Sequence, residues 1–143
     1  MKTLVIGAAI IDIIMKIKRL PKSGEDILCS ETVSAVGGCA YNVAGTLRGF
    51  GVDHDLFVPV GRGMYGDMIA GDLEKLGYQI LIREEESDNG YCLCLVEEDG
   101  ERTFITVKGA EGRFRPSWFE QLSQYAYDSI YVAGYQVCGT SGG

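Results

Sequence analysis

Positive charge is scarce in this sequence, and long apolar segments are missing. Lys and Arg number 13 against 20 Asp and Glu, which gives a net charge of −7. Nucleic acids and anionic membrane surfaces attract basic faces, so the charge argues against both as partners. No apolar run reaches the ~18 residues of a membrane-spanning helix. Because the start, Met1–Gly7, also lacks the apolar stretch of a signal peptide, we expect a cytoplasmic protein.

Paired cysteines and clustered histidines are missing as well. The five cysteines are an odd number, which argues against a disulfide framework. Cys92 and Cys94 would share one face of a strand, as metal ligands can, but no histidine or second cysteine pair accompanies them. We therefore expect reduced, packed thiols and no metal ligands in this chain. His54, the single histidine, is interpreted as a surface or packing residue rather than a catalytic base.

What the sequence does contain is an alternation of buried strands and amphipathic helices. The apolar runs predict strands at Leu4–Ala9, Asp55–Val60, Tyr78–Arg83 and Ser129–Ala133. Helical spacing predicts helices from Gly38 to about Phe50, over Tyr65–Leu76 and over Ser117–Tyr127. The alternation indicates an α/β fold in one domain over residues 1–143, with a doubly wound, mainly parallel sheet.

Two β-rich segments interrupt this alternation. The first covers residues 13–36 and turns around Pro21 and Gly24, and the second covers residues 90–108 and turns at Asp99-Gly100. Asp-Gly between two β-rich runs is a strong hairpin signal. We expect the two segments to form a separate small sheet, with one exposed face that can cover a site.

The candidate binding site lies where a glycine pair opens a helix. Gly37 and Gly38 leave no side chain in the way of a ligand, and a helix beginning there directs unpaired N–H groups outwards. Asn42 would lie in its first turn. Asp12 follows the first strand, where ligands of open α/β sheets bind, and its carboxylate can accept hydrogen bonds from two hydroxyls. The alternatives are ordinary turn chemistry for the glycines and a turn-stabilising role for Asp12.

The spacing around these glycines resembles the first signature of the PfkB, or ribokinase-like, family of carbohydrate and nucleoside kinases. The fixed positions of that pattern are met at Gly37, Gly38, Ala40, Asn42, Ala44, Gly51 and Gly61. The resemblance implies a ribokinase-like fold in which segments 13–36 and 90–108 form a β-sheet lid over the substrate. It also permits a homodimer through the lid.

The same resemblance implies roles for individual residues. Asp12 and Asn42 would bond substrate hydroxyls, and Gly37 and Gly38 would let the substrate approach the backbone. Tyr135 lies where several members place a substrate-contacting side chain, although a core or surface tyrosine is an equal alternative.

The chain also departs from the pattern of ribokinases proper. Cys39 and Tyr41 stand where those enzymes have Lys and Ala, and Ile10 stands where they have Asn. These differences count against ribose itself. The substrate remains a carbohydrate or a nucleoside, since Tyr41 or Tyr135 could stack on a base.

The family's second signature, Asp-Thr-x-Gly-Ala-Gly-Asp, does not occur in the sequence. Its last Asp is the family's general base, so the resemblance implies no catalytic residue in this chain. ATP and Mg²⁺ would be bound mainly by a missing C-terminal half, and the chain alone would be inactive. We therefore expect the N-terminal, substrate-binding half of an ATP-dependent sugar kinase.

Two alternatives from other classes remain open. One is a non-catalytic sugar-binding or regulatory module that keeps the pocket and the lid. The other is a Rossmann-type nucleotide-binding protein, which the sequence disfavours because Gly7 is not followed by the Gly-x-Gly-x-x-Gly pattern.

Overall fold

A computed structural model describes residues 1–137, apart from the side chains of Tyr135 and Val137. The strands are β1 (Thr3–Ile6), β2 (Ile10–Lys16), β3 (Glu31–Gly37), β4 (His54–Phe57), β5 (Pro59–Val60), β6 (Ile82–Arg83), β7 (Tyr91–Val96), β8 (Arg102–Val107) and β9 (Ser129–Val132). The helices are α1 (Cys39–Gly49), α2 (Met64–Lys75), α3 (Pro116–Phe119) and α4 (Gly134–Val137), with 3₁₀ turns at Ala110–Gly112 and Glu120–Gln124. No helix in this part of the chain is long and apolar enough to cross a membrane.

The main sheet is parallel and has the order β4-β1-β9. β5 follows β4 after one residue and pairs in parallel with β6. The central strand β1 is apolar without alternation because both of its faces are covered. Leu4 and Ile6 pack into one core and Val5 into the other, and all three are buried.

Helical segments cover both faces of this sheet. Ala40 and Ala44 of α1, with Ile69 and Leu73 of α2, pack against the face that carries Val5. On the other face, aromatic and aliphatic side chains of the segment after β8 pack on Phe57; they are Phe114, Trp118 and Leu122. The three layers are the α/β architecture that the sequence predicts, and the predicted fold class is confirmed.

The other strands form a second, four-stranded sheet with the order β3-β2-β7-β8. Two antiparallel pairs, β2 with β3 and β7 with β8, are joined by parallel pairing of β2 with β7. The base of this sheet is anchored on the α/β core, since Ile11 is fully buried and the ring of Tyr91 lies 4.9 Å from that of Tyr65 in α2. At the tip of the β7–β8 hairpin, Gly100 has a φ of 88°, which favours glycine.

Three predicted elements differ from the structure. The sequence predicts that β9 is buried, but all four of its residues are exposed, because within residues 1–137 it pairs only with β1 and lies at the edge of the sheet. The predicted helix Ser117–Tyr127 is shorter, since α3 tightens into the 3₁₀ turn at Glu120–Gln124. Of the predicted strand Tyr78–Arg83, only β6 pairs with a neighbour.

Candidate functional site

Asp12 lies inside β2 rather than just beyond the end of a strand. The chain leaves β1 at Ile6 and re-enters a strand at Ile10, so Asp12 still lies near the carboxyl end of β1. It is opposite Ala35 of β3 and Cys92 of β7. Its carboxylate reaches towards Gly37, where an added Cβ atom would collide with it. The structure therefore brings Asp12 and Gly37 together, as a shared site requires.

Gly38 forms the junction between β3 and α1. Its φ of 102° is a conformation that side chains disfavour, and a Cβ atom there would lie 2.5 Å from the carbonyl oxygen of Ala8. α1 begins at Cys39 with no side-chain cap, so its first N–H groups have no side-chain acceptor. Together with the helix dipole, these N–H groups favour a polar or anionic group at this end of α1.

Asn42 lies in the first turn of α1, where its N–H donates to the carbonyl of Gly38 at 3.0 Å. Its own carbonyl accepts a hydrogen bond from Thr46 Oγ1 at 3.1 Å. The residue is exposed, and its side-chain amide makes no hydrogen bond to the described groups of the chain. The structure places Asn42 in the same helical turn that follows the glycines but does not bring it into contact with Asp12.

Of the two tyrosines predicted to contact the substrate, the structure describes the side chain of one. Tyr41 donates a hydrogen bond from its hydroxyl to Asp72 of α2, and its ring packs on the core. Burial, with that bond, raises the pKa of Tyr41 to about 12. This hydrogen bond links α1 to α2. Tyr135 lies in α4, and its side chain is outside the described part of the structure.

Burial also acts on Asp12, whose carboxylate makes no hydrogen bond within the described part of the chain. Desolvation raises the pKa of this carboxyl above the ordinary 3.8, because the charged form is poorly solvated. The native state then binds a proton more readily than the unfolded chain, so the ionised group lowers stability as pH rises through this window. This loss of stability is expected for a carboxylate that accepts hydrogen bonds only from a ligand.

A stability measurement tests this cost. In the complete protein, Asp12→Asn is expected to increase the free energy of unfolding near neutral pH, because a neutral amide is cheaper to bury than a carboxylate. The gain should vanish as pH falls below 3.8, where Asp12 is protonated. Urea unfolding across this pH range checks the prediction, with exposed Asp26→Asn as the control. Equal stability of Asp12→Asn and the unmodified protein at neutral pH would contradict it.

Three polar residues near this site were not identified from the sequence. Asp88 accepts hydrogen bonds from the N–H groups of Gly66 (2.6 Å) and Tyr65 (3.2 Å) and so caps α2, which has no side-chain cap of its own. Asn89 and Glu111 are 3% and 5% exposed. They lie in segments that read as loops, and the only signal in the sequence is that Asn89 and Glu111 each lie next to a glycine.

Asn89 links the ends of three segments at the carboxyl edge of the sheet. Its amide accepts a hydrogen bond from the N–H of Gly61 at 2.6 Å. It donates to the carbonyls of Pro59 at 2.9 Å and Ala9 at 3.1 Å. The three partners of the side-chain amide are all backbone groups, so Asn89 fixes the chain between β1 and β2 that leads to Asp12.

Two concave surfaces lie away from Asp12. A cavity of about 560 Å³ lies at the amino end of β4, where Arg48, His54 and Tyr78 contribute to its wall. His54 is hydrogen-bonded to the Val52 carbonyl and to the Tyr78 hydroxyl, each at 2.7 Å, which agrees with a packing role. Asp12 lines neither this cavity nor the neighbouring groove along α1.

Residues for a metal ion are not assembled in the described part of the chain. No three His, Cys, Asp or Glu side chains among residues 1–137 lie close enough together to hold one. Cys92 and Cys94 are buried on one face of β7, and Thr106 donates a hydrogen bond to Cys92 Sγ at 3.5 Å.

Comparison with known proteins identifies relatives along nearly the whole chain. The family model for pfkB family carbohydrate kinases matches residues 1–141. An uncharacterized sugar kinase of Escherichia coli K12, YegV, is 39% identical over 139 residues, which cover 97% of this chain and 43% of that protein.

Solved structures give the same result. A ribokinase from Giardia lamblia superposes with a TM-score of 0.80 at 25% identity and covers 92% of this chain and 41% of its own. A ribokinase from Arabidopsis thaliana, solved with ribose and ATP, has a TM-score of 0.66 at 27% identity, over 76% of this chain and 36% of its own. The chain thus spans less than half the length of each of these three relatives.

Proposed function

Because the chain belongs to the pfkB family of carbohydrate kinases, we propose that it is the N-terminal, substrate-binding part of an ATP-dependent kinase. The acceptor is a hydroxyl of a carbohydrate or a nucleoside. The chain covers 43% of the E. coli relative. The proposed activity is therefore that of a complete protein that contains this chain.

The observation that carries this proposal is the Asp12 carboxylate beside Gly37, next to the uncapped start of α1. Asp12 accepts hydrogen bonds from two hydroxyls of the substrate and thereby fixes its orientation. Gly37 and Gly38 leave room for the substrate to approach the backbone. Asn42, in the first turn of α1, bonds a further hydroxyl, and Tyr135 contacts the substrate from α4.

The remaining parts of the reaction belong to residues outside this chain. ATP supplies the phosphoryl group, and phosphoryl transfer depends on positioning and on stabilisation of charge. We propose that ATP and Mg²⁺ are bound mainly by the other half of the complete protein, and we assign no catalytic residue within 1–143. The ATP bound to the Arabidopsis relative supports the choice of phosphoryl donor.

A phosphorylation assay tests the proposal. The complete protein is incubated with ATP, Mg²⁺ and a panel of sugars and nucleosides, and ADP release is measured for each acceptor. We expect acceptor-dependent ADP release that Asp12→Asn strongly reduces. Saturable acceptor binding without turnover would contradict the kinase and support a non-catalytic binding module instead.

We propose that the four-stranded sheet is a lid over the acceptor and joins two subunits. It contains the predicted segments 13–36 and 90–108, and its strands β2 and β3 extend the first segment to Ile10 and Gly37. Its apolar side chains support the second role. Val33 and Phe104 are 49% and 59% exposed, and the register through Ile14 and Cys94 places them on one face. Exposed apolar side chains grouped on one face are typical of interaction surfaces.

The oligomeric state tests the dimer. Phe104→Glu is expected to convert a dimer of the complete protein into a monomer, because a charge in an apolar interface is costly to bury. Sedimentation equilibrium measures the mass. Phe50→Glu is the matched control, since Phe50 is 82% exposed at the end of α1, outside this sheet. A monomeric unmodified protein would contradict the dimer.

We also propose a cytoplasmic location. Cys29, Cys39, Cys92 and Cys94 are free thiols in the structure. Free thiols persist in a reducing compartment, whereas secreted proteins tend to form disulfides.

A further inference from the structure

Both ends of the β7–β8 hairpin meet at one carboxylate. β7 begins at Tyr91, immediately after Gly90, and β8 ends at Val107, two residues before Gly109. Glu111 Oε2 accepts the N–H of Gly90 at 2.8 Å, and Glu111 Oε1 accepts the N–H of Gly109 at 2.9 Å. Glu111, Gly90 and Gly109 are named here the Glu111 clamp.

The clamp is tightly packed and has no room for other side chains. A Cβ atom on Gly90 would collide with the Val107 carbonyl and with Glu111 itself, and one on Gly109 would collide with the backbone of Asp88 and Gly90. With Glu111 only 5% exposed, water cannot easily replace these hydrogen bonds. A buried carboxylate is costly unless its oxygens are satisfied, and here both accept peptide N–H groups.

The clamp is connected to Asp12 through the backbone. The carbonyl of Gly90 accepts the N–H of Ile11 at 3.3 Å, one residue before Asp12. The adjacent Asn89 donates to the carbonyl of Ala9 at 3.1 Å, so the two bonds lie on either side of Ile10. Any shift of Gly90 is therefore transmitted to the start of β2.

We propose that Glu111 is a positioning residue, which sets the angle of the four-stranded sheet and thereby the place of the Asp12 carboxylate. Glu111 acts on Gly90 and Gly109 and does not touch the substrate. This inference rests on the proposed function, because Asp12 is assigned there to the acceptor.

The test is Glu111→Gln in the complete protein. Gln keeps the shape and one acceptor oxygen, but its NH₂ group faces a peptide N–H, so one of the two bonds is lost. Misplacing Asp12 is expected to raise the KM for the acceptor by about 10- to 100-fold, with the KM for ATP unchanged. A residue that only stabilises the fold would lower the melting temperature and leave both KM values unchanged. That outcome would overturn the proposal.

Amide hydrogen exchange gives a readout that needs no activity. Glu111→Gln is expected to accelerate exchange at Gly90, Gly109 and Ile11, and equal exchange in the variant and the unmodified protein would overturn the clamp. If the unmodified protein phosphorylates no acceptor, the proposed function fails, and exchange still tests the clamp. The matched control is Glu98→Gln, the same change at an exposed position in the turn of the same hairpin.

A second variant covers the case in which Glu111→Gln does not fold. Glu111→Asp keeps the charge but is one methylene shorter, so it reaches one N–H group and not both. It is expected to shift the acceptor KM and the exchange rates in the same direction. Unchanged values in Glu111→Asp would overturn the proposal.

Discussion

Replacing Asp12 by asparagine in the complete protein is expected to lower kcat/KM for the acceptor by about 100-fold. Hydrogen bonds to charged groups contribute about 1.5–3 kcal/mol each, and 1.4 kcal/mol is a factor of ten. Asn keeps one acceptor oxygen and replaces the other by a donor, so the variant loses the charge and one of two hydroxyl bonds. Steady-state kinetics with the best acceptor from the panel measure the loss.

The controls separate this effect from a change in folding. Asp26→Asn makes the same change at an exposed position in the loop between β2 and β3 and is expected to keep full activity. The melting temperature of Asp12→Asn should not fall, because the variant removes a poorly solvated carboxylate. An Asp12→Asn protein that retains its kcat/KM would remove Asp12 from the site and, with it, the observation on which the kinase proposal rests.

Loss of activity and gain of stability in one variant would mark Asp12 as a functional residue. A structural aspartate has hydrogen-bond partners, and its removal destabilises the fold. The Asp12 carboxylate has none among the backbone groups and side chains that the structure describes, and burial raises its pKa. Lower activity together with higher stability would therefore support the proposal that Asp12 binds the acceptor.

The elements of the fold could be predicted where the sequence has a period. The apolar run of β1, the helical spacing of α1 and α2, and the Asp99-Gly100 turn each reflect a local rule of burial or backbone geometry. The glycine pair before α1 was found for the same reason, since the φ of 102° at Gly38 favours glycine. The glycine positions of the family signature reflect such local requirements of backbone geometry.

The polar contacts between distant segments could not be predicted. Glu84 reads as part of an exposed acidic turn, yet it is 5% exposed and pairs with Arg115 at 2.8 Å. Asn89 and Glu111 form hydrogen bonds with backbone groups of segments that are distant in the sequence. No residue spacing predicts such a hydrogen bond. The exposure of β9 was missed for a related reason, because an apolar strand reads as buried whether or not its neighbour is present.

The largest loss of stability is expected for Asn89→Asp. The variant places a carboxylate oxygen against the carbonyls of Ala9 and Pro59, where the native amide donates two hydrogen bonds. Two hydrogen bonds are lost, and a buried negative charge faces two carbonyl oxygens. The free energy of unfolding should therefore fall by about 3–5 kcal/mol near neutral pH. Urea unfolding of the complete protein measures the difference.

The stability of Asn89→Asp should depend on pH, which gives a second test of this prediction. Carbonyl oxygens and burial raise the pKa of the new carboxyl, so the native variant binds a proton more readily than the unfolded chain. Its stability should therefore recover relative to the unmodified protein as pH falls, because the protonated carboxyl can donate to one carbonyl. Gln79→Glu makes the same chemical change at an exposed position and should show neither effect. If Asn89→Asp were as harmless as Gln79→Glu, the Asn89 amide would not be the link that holds β1, β2 and β5 in register beside Asp12.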